Sequence, residues 1–301
     1  LADGEEDEYA GAGGSRNSMR SSLVPDVDLP VNTSLDDDAS GRVVQISTMT
    51  VGENLLVTGG FFGEIVAKEL STGKILYNAR ITMDDNAITN SLDVSRTRSG
   101  AVRVMACSND CFIRLFDIPS FTLLNKFRFD WAVNHATRQP NDGRLLCVVG
   151  DHSEVLLADA DTGQALATLK GHKDFSFATS WHPNGLMFAT GNQDCTARVW
   201  DIRHLKESLS VLEGHIGAMR SLRFSSDGRF LAMSEPADFV HIYEVRNGLF
   251  DRCQQIDLFG EIAGFSFSPS GESLYIGMSD RTYGSLLEYR ISDCTRNCIY
   301  L

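Results

Sequence analysis

The feature that most constrains this chain is a turn that repeats at near-constant pitch. Pro140-Asn141-Asp142-Gly143, Pro183-Asn184-Gly185, Ser226-Asp227-Gly228 and Ser268-Pro269-Ser270-Gly271 share one chemistry, and their glycines stand 42, 43 and 43 residues apart. Each supplies a left-handed backbone position between two short apolar runs, as a hairpin needs. A second landmark keeps the same beat. An aromatic-acid pair closes a strand-like run at Phe116-Asp117, Trp200-Asp201 and Tyr243-Glu244, with degenerate counterparts at Lys68-Glu69, Ala158-Asp159 and Tyr289-Arg290. Six units fit between residue 41 and the end of the chain. In the clearest unit, alternation and β-branched or aromatic residues predict strands at Phe177–Trp181, Met187–Thr190, Thr196–Trp200 and Ser208–Leu212. No segment holds a helical period over three turns. Four short strands every 40 to 45 residues predict an all-β propeller whose sheets bury their faces only against one another.

The phase of one unit carries a more specific pattern. Gly171-His172, Thr190, Asp194 and Trp200-Asp201 resemble the full signature of a WD40 repeat. That resemblance implies a hydrogen-bonded chain in which His172 donates to the Asp194 carboxylate, Thr190 links onward and the Trp200 indole closes the network. Such a set is structural and works only when complete. Neighbouring units keep less of it. Gly214-His215 is followed by Tyr243 in place of Trp, Asp85-Asn86 stands where a His is expected, and the unit ending at Ala158 has no aromatic. Longer stretches, among them Asp84–Asn90, Trp131–His135, Ala178–Trp200, Ser234–Tyr243 and Asp280–Tyr289, resemble a group of plant and fungal transducin-like WD-repeat proteins. The resemblance covers residues 41–301 and implies a WD40 β-propeller, with six clear four-stranded blades here and a seven-bladed design.

Charge and composition set the remaining bounds. Residues 1–38 hold ten acids against two bases, giving −8 of the net −13. Residues 1–21 read as an acidic disordered tail, and 22–40 as a linker or an extra edge strand that Pro25 and Pro30 keep out of a sheet centre. The chain begins with Leu1, which suggests a fragment or a missing start. An acidic surface disfavours nucleic acid, and no apolar run is long enough to span a bilayer. Seven cysteines, two pairs of them spaced C-x3-C, read as small apolar fillers in a reducing compartment, cytoplasm or nucleus.

No nucleotide, hydrolase or zinc-protease motif is present, so no catalytic residue, cofactor or metal is expected. The turn aspartates Asp110, Asp151, Asp194, Asp238 and Asp280 recur in phase with the repeat, so each is read as bracing its own turn. The expected function is a non-enzymatic scaffold for other proteins. Candidate partner contacts are Phe61, Phe62, Trp131, Phe175, Arg220 and Arg281, all in leading loops or in turns between second and third strands. An alternative follows from Trp200-Asp201-Ile202-Arg203, which matches the W-D-x-R box by which some WD40 proteins dock onto a cullin-RING ubiquitin ligase adaptor. Tyr243-Glu244-Val245-Arg246 repeats it in softened form. Arg203 and Arg246 would then be docking residues of a substrate receptor.

Overall fold

The computed structural model describes residues 45–290 apart from 98, 142 and 280–283. The tail over 1–21, the segment over 22–40, the fourth strand expected at 297–301 and Arg281 lie outside the described residues. Every described element is a β-strand, and every pairing is antiparallel between neighbours in sequence. Blade 1 is β1 (Ile46–Gly52), β2 (Leu55–Gly60), β3 (Glu64–Glu69) and β4 (Ile75–Arg80). Blade 2 is β5 (Thr89–Arg96), β6 (Val102–Ser108), β7 (Phe112–Asp117) and β8 (Leu123–Arg128). Blade 3 is β9 (Val133–Arg138), β10 (Leu145–Gly150), β11 (Val155–Asp159) and β12 (Ala165–Leu169). Blade 4 is β13 (Ser176–Trp181), β14 (Met187–Asn192), β15 (Thr196–Asp201) and β16 (Ser210–Glu213). The turn glycines Gly143, Gly185, Gly228 and Gly271 all have φ between 61° and 75°, which an L side chain adopts only with strain.

The fifth and sixth units form one six-stranded sheet, unlike the separate sheets that the repeat predicts. β17 (Ser221–Phe224), β18 (Phe230–Ser234) and β19 (Ala237–Arg246) lead into β20 (Leu249–Phe267), a strand of 19 residues. Its first part pairs with β19, and its last part pairs with β21 (Ser273–Met278), which pairs in turn with β22 (Ser285–Arg290). One strand is therefore the outer edge of blade 5 and the inner edge of blade 6. Residues 254–261 carry no proline, and a positive φ at Phe259 supplies the change of direction that a loop would otherwise make.

The first strands of successive blades, β1, β5, β9, β13, β17 and the end of β20, contact one another in order. Side chains tie them at the repeat pitch. Ser47 Oγ donates to the Thr89 carbonyl (2.6 Å), Asn90 Nδ2 to Val133 (2.9 Å) and Asn134 Nδ2 to Ser176 (3.1 Å). At the opposite end Asn141 Nδ2 donates to Pro183 (2.9 Å), His182 Nε2 to Gly228 (3.1 Å) and Ser226 Oγ to Pro269 (2.8 Å). Between these ties apolar faces meet. Trp181, Phe188 and Trp200 of blade 4 pack on Cys147, Val149, Val155 and Leu157 of blade 3. Burial pushes the Cys107 thiol up to about 12 and the Cys147 thiol well above its usual range, and both are unpaired.

Blade 4 contains a continuous buried chain of polar side chains. His172 Nδ1 faces Asp194 Oδ2 at 3.2 Å, His172 Nε2 faces Thr190 Oγ1 at 2.9 Å, and Trp200 Nε1 donates to the same hydroxyl at 2.9 Å. Burial lowers the His172 pKa and keeps the ring neutral, so Nδ1–H donates to the carboxylate and Nε2 accepts from Thr190. Burial pushes Asp194 up, but hydrogen bonds from His172, Thr196 and the Lys173 amide outweigh it and hold the carboxyl well below the ordinary range.

Two outcomes follow from this chain. Thr190→Val keeps the shape but strands the Trp200 N–H and the His172 ring nitrogen. At about 1–3 kcal/mol per orphaned buried group, melting should fall by roughly 5–10 °C, as scanning calorimetry would read. Asp194 titrates lower folded than unfolded, so its contribution is complete above about pH 4 and is lost as pH falls. The stability gap between wild type and Asp194→Asn, measured by urea unfolding, should therefore be widest at pH 7 and begin to narrow as pH falls below about 4.

Candidate interaction surface

The strand order gives the propeller two unlike faces. Each first strand starts at a leading loop and runs towards the turn that joins it to the second strand. Leading loops and turns between second and third strands therefore share the upper face. The turns on either side of them in each blade share the underside.

Large apolar side chains stand exposed on the upper face. Phe62, in the β2–β3 turn, is 61% exposed, and Met83, in the loop leading to β5, is 81% exposed. Phe175 before β13, Ile216 before β17 and Phe259 in β20 are 43%, 77% and 86% exposed. Phe61 beside Phe62 is only half-buried, and its amide donates to the Gln45 carbonyl. Trp131, in the loop leading to β9, packs against Phe129 and lies flat on His152 with ring centroids 6.2 Å apart. A Cβ at Gly150 would come within 2.5 Å of its ring, so Trp131 is part of the blade packing. Arg220 places its guanidinium 4.3 Å from the centre of the Phe177 ring, and burial lowers its pKa. No ion pair to Arg220 occurs among the described residues.

Buried polar groups fix these exposed side chains. Asp194 accepts the Lys173 amide at 3.0 Å, and the Gln193 amide donates to the Phe175 carbonyl at 2.8 Å, so the chain in blade 4 also sets the loop that presents Phe175. Blade 5 reaches the same end with different residues. Glu235 accepts the amides of His215 (2.7 Å), Ile216 (2.9 Å) and Gly217 (2.6 Å), and His241 Nε2 at 3.0 Å. Burial pushes Glu235 up, but the hydrogen bonds from the His215 amide, His241 and the loop amides outweigh it and hold it ionised. The expectation that Asp238 braces this turn is corrected. Register places Glu235 opposite Phe239, and Asp238 sits at a positive φ of 67°, the position that Cys195 takes in blade 4. The repeat points to the acid three residues later, at Asp238, so Glu235 does not stand out by position. The pair Glu235-Pro236 ahead of a buried His241 was the available signal.

The underside carries the box arginines. Asp201 accepts from Arg203 Nε at 2.9 Å and from its Nη2 at 2.6 Å, while the Arg203 side chain stays 60% exposed. Arg246 pairs with Glu244 at 2.7 Å and is also mostly exposed. Arg203 follows β15 and Arg246 ends β19, so both lie at the ends of third strands of adjacent blades, on the same side of the ring.

Comparisons with known proteins fit this architecture. The family described as WD domain, G-beta repeat, matches residues 163–201 and 206–235. The chain is 26% identical over 234 residues to an uncharacterised protein of Schizosaccharomyces pombe, across 69% of this chain and 65% of that protein. It is 27% identical over 154 residues to the guanine nucleotide-binding protein subunit beta of Oryza sativa subsp. japonica, across 46% of this chain and 39% of that one. It is 29% identical over 119 residues to the DDB1- and CUL4-associated factor 10 of Xenopus tropicalis, across 39% of this chain and 26% of that one. Each match spans less than two thirds of the relative's own length. Repeat pitch, strand order, the buried chain of blade 4 and these similarities converge on one fold: the chain is a WD40-type β-propeller, similar to WD40-repeat proteins, with two stretches matched by their family model.

Proposed function

We propose that this protein is a non-catalytic interaction module that holds partner proteins on its upper face, with blades 4 and 5 at the centre of the contact. One observation carries the reading. Phe175 is exposed on one loop, Ile216 and Arg220 are exposed on the next, and both loops are anchored by buried carboxylates. Exposed apolar side chains on a rigid base bind with little ordering cost, and aromatic and Arg side chains are the usual energetic anchors of interfaces. Phe62, on blade 1, extends the same face. The cytoplasm or nucleus is the compartment assigned to it, on the grounds of its unpaired cysteines.

The test is affinity purification with quantitative mass spectrometry, comparing wild type with a Phe175→Ala, Ile216→Ala double variant and with Phe62→Ala. The double variant should lose most specific partners, by tenfold or more in recovery, at an unchanged melting temperature. An identical partner set would refute the reading.

A second reading concerns the underside. The exposed Arg203 and Arg246 on adjacent blades, and the similarity to a factor named for association with DDB1 and CUL4, favour a substrate receptor of a cullin-RING ligase. Bidentate Arg contacts suit such docking. Arg203→Ala should abolish co-purification of the ligase adaptor while leaving upper-face partners in place. Equal adaptor recovery with the variant would remove this reading.

A further inference from the structure

The junction between blades 2 and 3 differs from the others. Each first strand places one residue, opposite the start of the second strand, as a wedge towards the preceding blade. That residue is Val94 in blade 2, Trp181 in blade 4, Phe224 in blade 5 and Phe267 in blade 6. In blade 3 it is Arg138, paired with Leu146. The next position in the same row, aromatic as Phe116, Trp200 and Tyr243, is Ala158. A wedge has become a cation, and the ring behind it has become a methyl group.

Beside this junction lies a cavity of about 560 Å³ on the underside. Arg103, Arg138 and Arg144 line it, with Leu115 and Leu124 as an apolar wall and Asp161 at its edge. Arg103 is tied to Asp117, and Arg138 uses one nitrogen on the Ala160 carbonyl and Asp161, both at 3.0 Å. Arg144 is exposed and makes no ion pair among the described residues. Arg103 is met by Asp117, and Arg138 by Asp161 and the buried Asp93, so among the described residues Arg144 is the lining cation left for a ligand.

We propose that this groove binds an anionic side chain of a partner polypeptide: phosphoserine, phosphothreonine or a glutamate in an extended segment. Arg forks match such oxyanions in two-pronged geometry. Leu124, half exposed at the rim, offers apolar contact to the flanking residue. The volume suits one or two side chains rather than a folded surface. The inference rests on the reading of an interaction module but uses the opposite face, so the two can fail separately.

The test uses immobilised pools of nine-residue peptides with randomised flanks and a central phosphoserine, phosphothreonine, glutamate or serine, together with a ten-nucleotide single-stranded RNA. The phosphorylated or glutamate pools should retain the protein at least tenfold better than the serine pool. Arg144→Glu should remove that preference at an unchanged melting temperature. Arg138→Trp, which restores the wedge, should remove it as well. Retention indifferent to charge at the central residue, a preference untouched by Arg144→Glu, or tighter binding of the RNA than of any peptide pool would overturn the proposal.

Discussion

The fold depends on side-chain hydrogen bonds that reach from one first strand to the main chain of the next blade. A four-stranded sheet of this size cannot bury both faces alone, so each blade is stable only against its neighbours. Apolar packing supplies most of the stabilisation but tolerates sliding. A directional bond does not. Ser47 to Thr89, Asn90 to Val133 and Asn134 to Ser176 occur once per repeat, near the upper end of each first strand. Asn141, His182 and Ser226 repeat the arrangement below. The first three junctions are thus registered at the upper end and the last three at the lower, and the junction of blades 3 and 4 carries both ties.

Much of this was legible in the chain before any coordinates. The turn glycines gave the pitch because only a left-handed residue closes those hairpins, and blade 4 displayed its strands and buried chain because each member there has one chemical role. The cross-blade ties were not legible. Asn90 and Asn134 look like ordinary polar residues in strands, and their role depends on a partner carbonyl 42 to 43 residues away. The continuity of β20 was hidden for a related reason. The bend is made by Phe259 at positive φ, with no proline and no turn cluster of the kind that marks the other junctions. Trp131 looked like a partner contact because an aromatic in a loop usually invites one. Only the contact with Gly150 shows that the ring is already occupied.

The comparison of blades 4 and 5 separates what the fold requires from how it is supplied. Both must fix a leading loop to the turn between second and third strands. Blade 4 uses an aspartate in the turn, a histidine in the loop and a Thr-Trp pair beneath. Blade 5 replaces the Thr-Trp pair with Met233 and Tyr243 and moves the acid to Glu235, whose longer side chain collects three amides directly. The His241 ring completes it from the position that Arg198 holds in blade 4. An ionised carboxylate taking several main-chain amides is worth more than a neutral bond, so the loss of the tryptophan need not loosen the loop. Both solutions anchor the loop that presents an exposed apolar side chain, Phe175 or Ile216, although only one carries the repeat signature.

Departures from the repeat therefore fall into two kinds. Where a lost residue is compensated nearby, as in blade 5, the geometry is conserved and the deviation carries no functional message. Where nothing fills the vacated volume, the deviation changes the surface. Blade 3 shows both: Phe127 of blade 2 packs in the buried cluster with Ala158, whereas Arg138, in place of an aromatic wedge, lines an open groove together with Arg144. A buried cation is costly unless it is paired, and Arg138 has the Ala160 carbonyl, Asp161 and the charge of the buried Asp93 to offset it while it borders the groove. The same physics that makes a propeller tolerant of drift in its repeats thus makes the uncompensated drift the place to look for binding.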